Sequence, residues 1–467
     1  MAKNLLISIV SAFGFLGVIL ASPMQAADRP IALVGGMLLD GYEAPGIPNS
    51  VVIIAGDKIV AVGAAHDTPL PENAHIIDTR GKTVMPGLTD LHMHLEMIGH
   101  GDYREFFDFL ELDGQDRMEE VRAIAGKHLL RSGVTTAVDL GSTLDILETR
   151  HRFAEGEIPG PHLLTSGPLI TRMPASVVPD GMHAVISSPQ EAVEAVNRQI
   201  DAGVDMIKAW VGLTAEDYNA IVDAAHKRNV KVHAHLYSPE NIEMALDAGV
   251  DVLQHVGSGR NPEYPEDLIL RIANANIPIV QTLAHRIWVY PASMQFPARL
   301  QDWRLRADLS EDLYEEFQRS FEYFWRRDYF RAVERESRLS EIAAKQFIDA
   351  DAVIGVGTDG GSPLNFHFDS MWREMSALVD SGMSPIRVIS AATKTNAEIL
   401  GNMEMLGGTR NFGTIEPGMR ADILVIDGDP LFNINALGYI DLVIKAGTPW
   451  YEESKVTDVL REIGRKF

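Results

Sequence analysis

Cysteine is absent from all 467 residues of the chain. Without thiols the protein forms no disulfides and carries no lipid on an N-terminal cysteine. Any metal ion must be held by nitrogen and oxygen ligands alone, which suit hard or borderline ions such as zinc or manganese.

Positive charge is also scarce. The formal net charge is −24, from 41 basic and 65 acidic residues. A nucleic-acid partner is disfavoured, because phosphate binding needs a basic surface. The apolar share of 46% and the charged share of 23% are ordinary for a globular protein. The composition therefore indicates an acidic protein that acts on a small-molecule substrate.

The N-terminus has the three-part pattern of a secretory signal peptide. Lys3 precedes an uncharged apolar run from Leu5 to Leu20, and small residues follow. We expect a signal peptide over residues 1–26, cleaved near Ala26, although Met24 stands where a small residue is usual. The mature protein would be periplasmic or secreted, with no stable membrane span; an uncleaved anchor is the alternative.

Both ends of the remaining chain are rich in short strand-like segments. Residues 31–77 alternate β-branched residues with Gly and Asp turn signals, and the stretch "GTIEPGMRADILVIDGDPLFNINALGYIDLVIKAGTPWY" has the same character. We predict one composite β-sandwich domain built from residues 28–82 and 412–467.

Between these ends, residues 83–411 alternate short apolar strands with helical segments. The eight candidate strands are "GLTDLHMH", "VTTAVDLG", "HLLTSG", "VDMIKAWV", "VKVHAHLY", "VDVLQHVG", "IPIVQTLA" and "VIGVGTDG". Eight such units predict an α/β fold, a (β/α)₈ TIM barrel whose chemistry collects at the C-terminal strand ends. A doubly wound sheet is disfavoured, because no G-x-G-x-x-G follows the first strand.

Metal-ligating side chains stand at the predicted strand ends. In an H-x-H on a strand both imidazoles point to the same side, so they can reach one ion. The candidates are His92 and His94 on the first strand, Lys208 on the fourth, His235 on the fifth, His255 on the sixth and Asp359 on the eighth. Each has an ordinary structural explanation alone, but together they indicate a metal site.

These motifs resemble the amidohydrolase superfamily, and more closely its imidazolonepropionase-like and prolidase-like branch. The segments that carry the resemblance are "PGLTDLHMH", "IKAW", "AHLYSPENIEMALDAGVDVLQH", "GVGTDGG" and "GTIEPGMRADILVID". The resemblance implies a metal-dependent hydrolase with a barrel and a composite β-sandwich.

A lysine in the set implies two ions. An ammonium has no lone pair to donate, whereas a carboxylated Lys208 offers two oxygens. The resemblance implies that this carbamate bridges two divalent ions, with zinc expected. His92, His94 and Asp359 would hold one ion, and His235 and His255 the other. A bridging water would attack the carbonyl carbon. Asp359 would act as the catalytic base and then as the acid.

Three further assignments concern the histidines and the tyrosine near the site. His233 and His235 share one face of strand five, and their spacing to the other ligands favours His235, which leaves His233 as a hydrogen-bonded residue one layer deeper. Tyr237 is similar to a family tyrosine that contacts the substrate carboxylate. His183 is similar to a substrate-binding histidine of the third strand's loop, in a motif that departs from the usual form.

Two features bear on the substrate. Trp210 follows the lysine and either narrows the pocket or packs against the barrel wall. Residues 286–340 form an aromatic- and arginine-rich insertion, which we interpret as a lid or specificity element; a helix pair outside the barrel or a dimer surface is the alternative. Arg286 and Arg304 are candidate partners for a carboxylate, and homo-oligomerisation stays open.

The leading prediction is a C–N hydrolase of dipeptides or N-acyl amino acids. A lactone, ester or cyclic-amide hydrolase could use the same site. A deaminase is disfavoured, because the third residue after His235 is Ser238 and not the glutamate that such enzymes use. A non-catalytic binding protein is disfavoured too, since every expected ligand is present.

Overall fold

The computed structural model describes residues 29–111, 117–174, 178, 180–258, 263–289, 291, 298–322, 333–401 and 410–452. The predicted signal peptide lies outside these residues, as do parts of the insertion at 290, 292–297 and 323–332.

The described residues contain nineteen strands. Their bounds are β1 Ile31–Val34, β2 Met37–Leu38, β3 Ser50–Ala55, β4 Lys58–Ala64, β5 His75–Asp78, β6 Thr83–Pro86, β7 Leu88–Met93, β8 Val134–Asp139, β9 His162–Thr165, β10 Leu169–Thr171, β11 His183–Val185, β12 Met206–Ala209, β13 Lys231–His235, β14 Val252–Gln254, β15 Ile279–Val280, β16 Ile354–Gly355, β17 Ile423–Ile426, β18 Ile440–Lys445 and β19 Thr448–Glu452. Each of the eight predicted strands contains an observed strand.

The described α-helices fall mainly between the parallel strands. They are α1 Tyr103–Leu110, α2 Met118–Arg131, α3 Ile146–Glu155, α4 Pro189–Ala202, α5 Ala215–His226, α6 Pro239–Ala248, α7 Glu266–Asn274, α8 Trp303–Asp308, α9 Glu311–Arg319, α10 Val333–Asp349, α11 Ser370–Asp380, α12 Pro385–Ser390 and α13 Asn396–Leu400. Shorter 3₁₀ turns span Asp180–Met182, Ala298–Gln301 and Ile434–Gly438, and π-helical turns span His285–Val289 and Ala391–Thr395.

Local sequence signals explain the helices that follow the strands of the site. The Ser188, Thr214 and Ser238 side chains accept hydrogen bonds from the first turns of α4, α5 and α6, which satisfies donors that lack a partner within the helix. Gly203 and Gly249 end α4 and α6 in the left-handed conformation that glycine adopts without strain.

The parallel strands form two sheets, β7-β8-β9 and β11-β10-β12-β13-β14-β15-β16. Backbone hydrogen bonds also connect these sheets. The Asp205 amide donates to the Thr165 carbonyl over 2.9 Å, and the Leu91 amide donates to the Val356 carbonyl over 3.0 Å. The C-terminal ends of these strands therefore lie on one face of the molecule, as predicted for the metal ligands.

Apolar side chains fill the space below that face. One core cluster takes a side chain from each of six parallel strands: Leu91, Val138, Leu164, Met206, Val252 and Val280. Because side chains alternate along a strand, Met206 lies one layer below Lys208, and Val252 lies one layer below Gln254. This packing gives the polar residues above it a rigid base.

Strands from both chain ends share one sheet. The order β19-β18-β17-β6-β2 places two strands from residues 37–86 beside three from residues 423–452. A further sheet, β4-β3-β1-β5, comes wholly from the N-terminal part. None of the helices that the structure describes has both the length and the apolar character that a membrane span requires.

Candidate metal centre

The histidines of the H-x-H pair reach the same carboxylate. His92 is buried on β7 with its Nε2 3.7 Å from Asp359 Oδ1, and His94 Nε2 lies 3.2 Å from that atom. Asp90, two residues earlier on the same face, accepts hydrogen bonds from the Thr358 hydroxyl at 2.6 Å and the Thr358 amide at 3.0 Å. Asp90 thereby fixes the distance between β7 and the loop that carries Asp359.

Asp359 occupies a strained position among imidazoles. Its φ is +56°, which Asp tolerates better than most residues, and its Oδ2 lies 2.9 Å from His285 Nδ1. Burial alone would raise the pKa of Asp359, but hydrogen bonds from His285 and His94 outweigh it and hold the pKa well below its usual range. The side chain is therefore a carboxylate at neutral pH.

Lys208 lies at the bottom of the same cluster. Its side chain is 1% exposed, and its Nζ has no hydrogen-bond partner among the residues that the structure describes. Burial lowers the pKa of Lys208 to about 7, against the opposing charge of Asp359. A buried amine without a partner is costly, so a group that engages Lys208 Nζ would stabilise the site.

His235 and His255 form the other side of the cluster. Their ring centroids are 4.4 Å apart, and the His255 ring lies 4.6 Å from that of His92. His255 has a φ of +66°, and its Nδ1 is 2.9 Å from the Thr282 hydroxyl. Burial holds the pKa of His255 well below its usual value. This imidazole is therefore neutral, with one ring nitrogen bonded to Thr282 and the other available as a ligand.

This donor set fits divalent ions. Ligand atoms of His92, His94 and Asp359 all lie within 4.8 Å of one another. Neutral imidazole nitrogens and a carboxylate oxygen are ligands that zinc accepts, and the partnerless Lys208 amine stands beside them.

These residues line a cavity of about 300 Å³. Its polar lining residues are the metal-ligand candidates together with Tyr237, His285, Arg286 and Ser362. Its apolar lining residues include Met97, Phe107, Leu140, Leu169, Met182 and Trp210. A ligand that carries both polar and apolar groups therefore matches the cavity.

The two candidate arginines differ in position. Arg286 lines the cavity, and its Nη2 donates to the Tyr237 hydroxyl over 2.9 Å. Arg304 instead pairs with Asp302 at 2.7 Å and lies over the Phe368 ring. Only the first of these two arginines can contact a ligand near Tyr237.

His183 lies behind Trp210, which lines the cavity. It stacks on Trp210 with ring centroids 5.4 Å apart, and Trp210, not His183, is among the described residues that line the cavity. The sequence-based assignment of His183 to substrate binding stays a prediction. Trp210 itself extends into the cavity wall, which favours the interpretation that it narrows the pocket.

Sequence reasoning missed His285. It follows the seventh predicted strand directly, in "IPIVQTLAH", one residue before the predicted insertion begins. A histidine at that strand end was the available signal, because the other strand ends already carried ligands. Its contact with Asp359 makes it part of the site.

Described parts of the insertion pack on the loops of this face. The Gly101 amide donates to the Ser320 hydroxyl over 2.8 Å, and Arg299 donates to the Leu364 carbonyl over 2.9 Å. The loop with Gly101 follows β7, which carries His92. The loop with Leu364 follows β16 and contains Asp359. The insertion thus lies on the side of the molecule where the cavity is.

Fold and site define an amidohydrolase. Residues 83–449 match the sequence model described as "Amidohydrolase family", and the chain belongs to this family. It is accordingly a hydrolase of carbon–nitrogen bonds, and the predicted kinship is confirmed.

Relatives extend over most of the chain. Ochratoxinase of Aspergillus niger is 23% identical over 447 residues, covering 86% of this chain and 82% of the relative. Imidazolonepropionase of Alkaliphilus oremlandii is 23% identical over 450 residues, covering 90% and 92%. A solved structure from Bifidobacterium longum, provisionally assigned as a prolidase, has a TM-score of 0.67 and 28% identity, covering 93% of this chain and 98% of that one. A Xaa-Pro dipeptidase structure has a TM-score of 0.70 at 22% identity, covering 91% and 100%.

Proposed function

We propose that the protein is a two-metal amidohydrolase that cleaves the C–N bond of dipeptides or N-acyl amino acids. The observation that carries this proposal is the convergence of His92, His94 and Asp359 beside the buried, partnerless Nζ of Lys208. Family membership supports the same conclusion.

The ligands divide into two groups in this proposal. His92, His94 and Asp359 would hold one ion, His235 and His255 the other, and carboxylated Lys208 would supply oxygens to both. Bound divalent ions, zinc foremost, would polarise the substrate carbonyl and lower the pKa of water. Carboxylation would also engage the otherwise unpaired Lys208 nitrogen, and this supports Lys208 as a member of the ligand set.

Asp359 is the proposed proton carrier. Because its pKa lies well below the usual range, it is ionised when substrate arrives and can take a proton from the attacking water. It would then deliver that proton to the leaving nitrogen. The Nδ1 atom of His285 lies 2.9 Å from Asp359 Oδ2, and this contact orients Asp359 for both steps.

The substrate class rests on the polar and the apolar side chains that line the cavity. Tyr237 and Arg286 form a donor pair that suits a carboxylate, while the wall around Phe107 and Leu140 suits an apolar group. The assignment of the Bifidobacterium longum relative as a prolidase is consistent with an amino acid derivative.

The architecture belongs to the proposal as well. We propose that the two parallel sheets are parts of one (β/α)₈ barrel over residues 83–411, supported by the hydrogen bonds between their edges. The sheet shared by both chain ends supports a composite β-sandwich over 28–82 and 412–467. The contacts of Ser320 and Arg299 support a lid within 286–340.

A hydrolysis screen tests this function. Mature protein prepared with zinc and bicarbonate is incubated with dipeptides, N-acyl amino acids, lactones and cyclic amides, with and without chelator, and products are identified by mass spectrometry. We expect chelator-sensitive release of a free amino acid. Turnover of lactones or cyclic amides alone would contradict the substrate class, and no turnover by metal-loaded protein would contradict the enzymatic proposal.

We also propose export through the N-terminal signal, on the strength of its sequence pattern alone. The mass of the protein recovered after expression of the full chain tests this. A loss matching residues 1–26, in a periplasmic or secreted fraction, is expected, whereas a full-length product would contradict cleavage.

A further inference from the structure

Gln254 connects two histidines inside the barrel strands. It ends β14, is fully buried, and its Oε1 lies 2.8 Å from His92 Nδ1. Its Nε2 lies 3.0 Å from Nδ1 of His233, which is also buried. Neither the metal-ligand set nor the proposed chemistry accounts for Gln254 or His233.

We propose that Gln254 is a positioning residue that fixes the ring orientation and tautomer of His92 for metal binding, and that His233 holds the Gln254 amide in the required orientation. This inference rests on the metal centre of the proposed function, because it concerns how one of its ligands is prepared.

The tautomers follow from hydrogen-bond chemistry. A neutral imidazole has one N–H and one lone pair, so a His92 that binds through Nε2, the nitrogen facing Asp359, must carry its hydrogen on Nδ1. That hydrogen needs an acceptor, and within the described ranges of the chain the amide oxygen of Gln254 is the one that lies against His92 Nδ1. The reversed amide would set N–H against N–H, so the contact at 2.8 Å selects one orientation.

The second contact explains the extra histidine of strand five. With its oxygen on His92, the Gln254 amide nitrogen faces His233 Nδ1, which must then offer a lone pair and carry its hydrogen on Nε2. His235, paired with Gln254 in the strand register, lines the cavity, whereas His233 lies two residues earlier on the same strand, opposite Val252. His233 thus acts through Gln254 and not as a ligand.

Metal affinity is the direct readout. Gln254→Leu keeps the approximate volume but removes the acceptor, and we expect affinity for zinc, measured by competition with a chromophoric chelator, to fall about 10- to 100-fold. Gln254→Glu retains an acceptor for His92, and we expect affinity near that of the wild type. Gln281→Leu is the matched control. Gln281 follows the adjacent strand β15, is equally buried, and has no side-chain hydrogen bond within the described part of the chain, so this change should leave affinity unaltered.

Equal affinities of the wild type and Gln254→Leu would overturn the inference while leaving the metal centre in place. A wild type that binds no divalent ion would overturn the proposed centre itself, and with it this inference. If Gln254→Leu does not fold, nitrogen-15 spectra of histidines in zinc-loaded wild type decide the matter. Hydrogens on His92 Nδ1 and His233 Nε2 are expected, and any other pair contradicts the proposal.

Discussion

At the scale of single residues, Asp359 has the clearest expected role. Asp359→Asn removes the proton acceptor but keeps a residue type that tolerates the φ of +56°. We expect kcat for the best substrate of the screen to fall by at least about 10²-fold, in the range for losing a general base. The far-UV circular dichroism spectrum should stay close to that of the wild type, because the backbone conformation is kept.

Asp427→Asn, in an exposed turn remote from the cavity, is the control for this change. It makes the same substitution without touching the site, so full activity is expected. Undiminished hydrolysis by a folded Asp359→Asn protein would contradict the proposed role of Asp359.

Lys208 permits a rescue experiment. Lys208→Ala removes the group that we propose becomes carboxylated, so metal content and turnover should both drop. Short carboxylic acids such as formate can fill the vacated space and supply oxygens to the ions, and adding them should restore part of the rate. Full metal content and full rate in Lys208→Ala without added acid would exclude a ligand role for this lysine.

Trp210 should control substrate size. Its indole lines both the main cavity and an adjoining one of about 270 Å³ bounded by Leu213, Tyr218 and Asn241. Trp210→Ala would join these spaces, so we expect kcat/KM for substrates with larger groups to rise on the order of tenfold relative to small ones. A series of N-acyl chain lengths measures this. A uniform loss for all lengths would show instead that the indole supports the site.

Much of the residue-scale pattern was predictable, because strand ends of a barrel converge and polar side chains there are visible in sequence. His92, His94, Lys208, His235, His255 and Asp359 all line one cavity. The place of His285 at a strand end was a usable signal, whereas the role of Gln254 was not predictable, because it depends on side-chain contacts with His92 and His233, 162 and 21 positions away in the chain. Such contacts leave no local pattern.

At the scale of elements, the Asp308 carboxylate connects helix α8 of the insertion to helix α2. The buried side chain of Asp308 bonds His128 at 3.0 Å and also contacts Lys127 and Arg131. Asp308→Ala would leave these three side chains without their acceptor. We expect the free energy of unfolding to fall by about 3 kcal/mol. This value is at the low end for breaking a buried ion pair, because Lys127 reaches solvent. Faster hydrogen exchange in residues 298–322 should accompany it.

Glu311→Ala provides the control within the same insertion. This substitution also removes a carboxylate, but the ion pair of Glu311 with Arg306, at 3.6 Å, lies at the surface. Exposed pairs contribute at most about 1 kcal/mol, so exchange should change little. Equal effects of the two substitutions would contradict a specific role of Asp308.

The same contact predicts a pH dependence. Burial opposes ionisation of Asp308, but hydrogen bonds from His128 and Lys127 and the charge of Arg131 lower its pKa below the ordinary value. A lowered folded pKa means that the stabilisation is complete above the unfolded value near 3.9 and is lost as pH falls below it. The protection factors of residues 298–322, which divide out the intrinsic pH dependence of amide exchange, should therefore fall below about pH 4 in the wild type, and less so in Asp308→Ala.

Elements were predictable where local signals are strong. The helices in "SPQEAVEAVNRQIDAG" and "SPENIEMALDAG" begin at serines that cap them and end at glycines, which is the sequence pattern typical of helix ends. Strands β10 and β11 were missed, because three residues each carry too little periodicity to stand out. Their place in the sheet is set by neighbouring strands.

At the scale of the whole molecule, strands that precede and follow the hydrolase segment pair with one another. β6 pairs with β17 from Thr83–Ile426 to Pro86–Ile423, although more than 300 residues separate them. Similar strand character at both ends made this pairing predictable in kind. Its register was not, because it depends on which apolar faces meet in the core shared by Val84, Ile423 and Val425.

Metal binding should stabilise this whole assembly, because its ligands come from distant parts of the chain and exist as a site only when folded. At an ion concentration about 1,000 times Kd, binding adds about 4 kcal/mol to the free energy of unfolding. We expect chelation to lower the unfolding temperature by several degrees, measured by calorimetry on the same preparation before and after metal removal. His92→Ala should start near the lower temperature and respond weakly to chelator. If wild-type protein with verified metal loss unfolded at an unchanged temperature, the ions would not be held by residues that folding brings together.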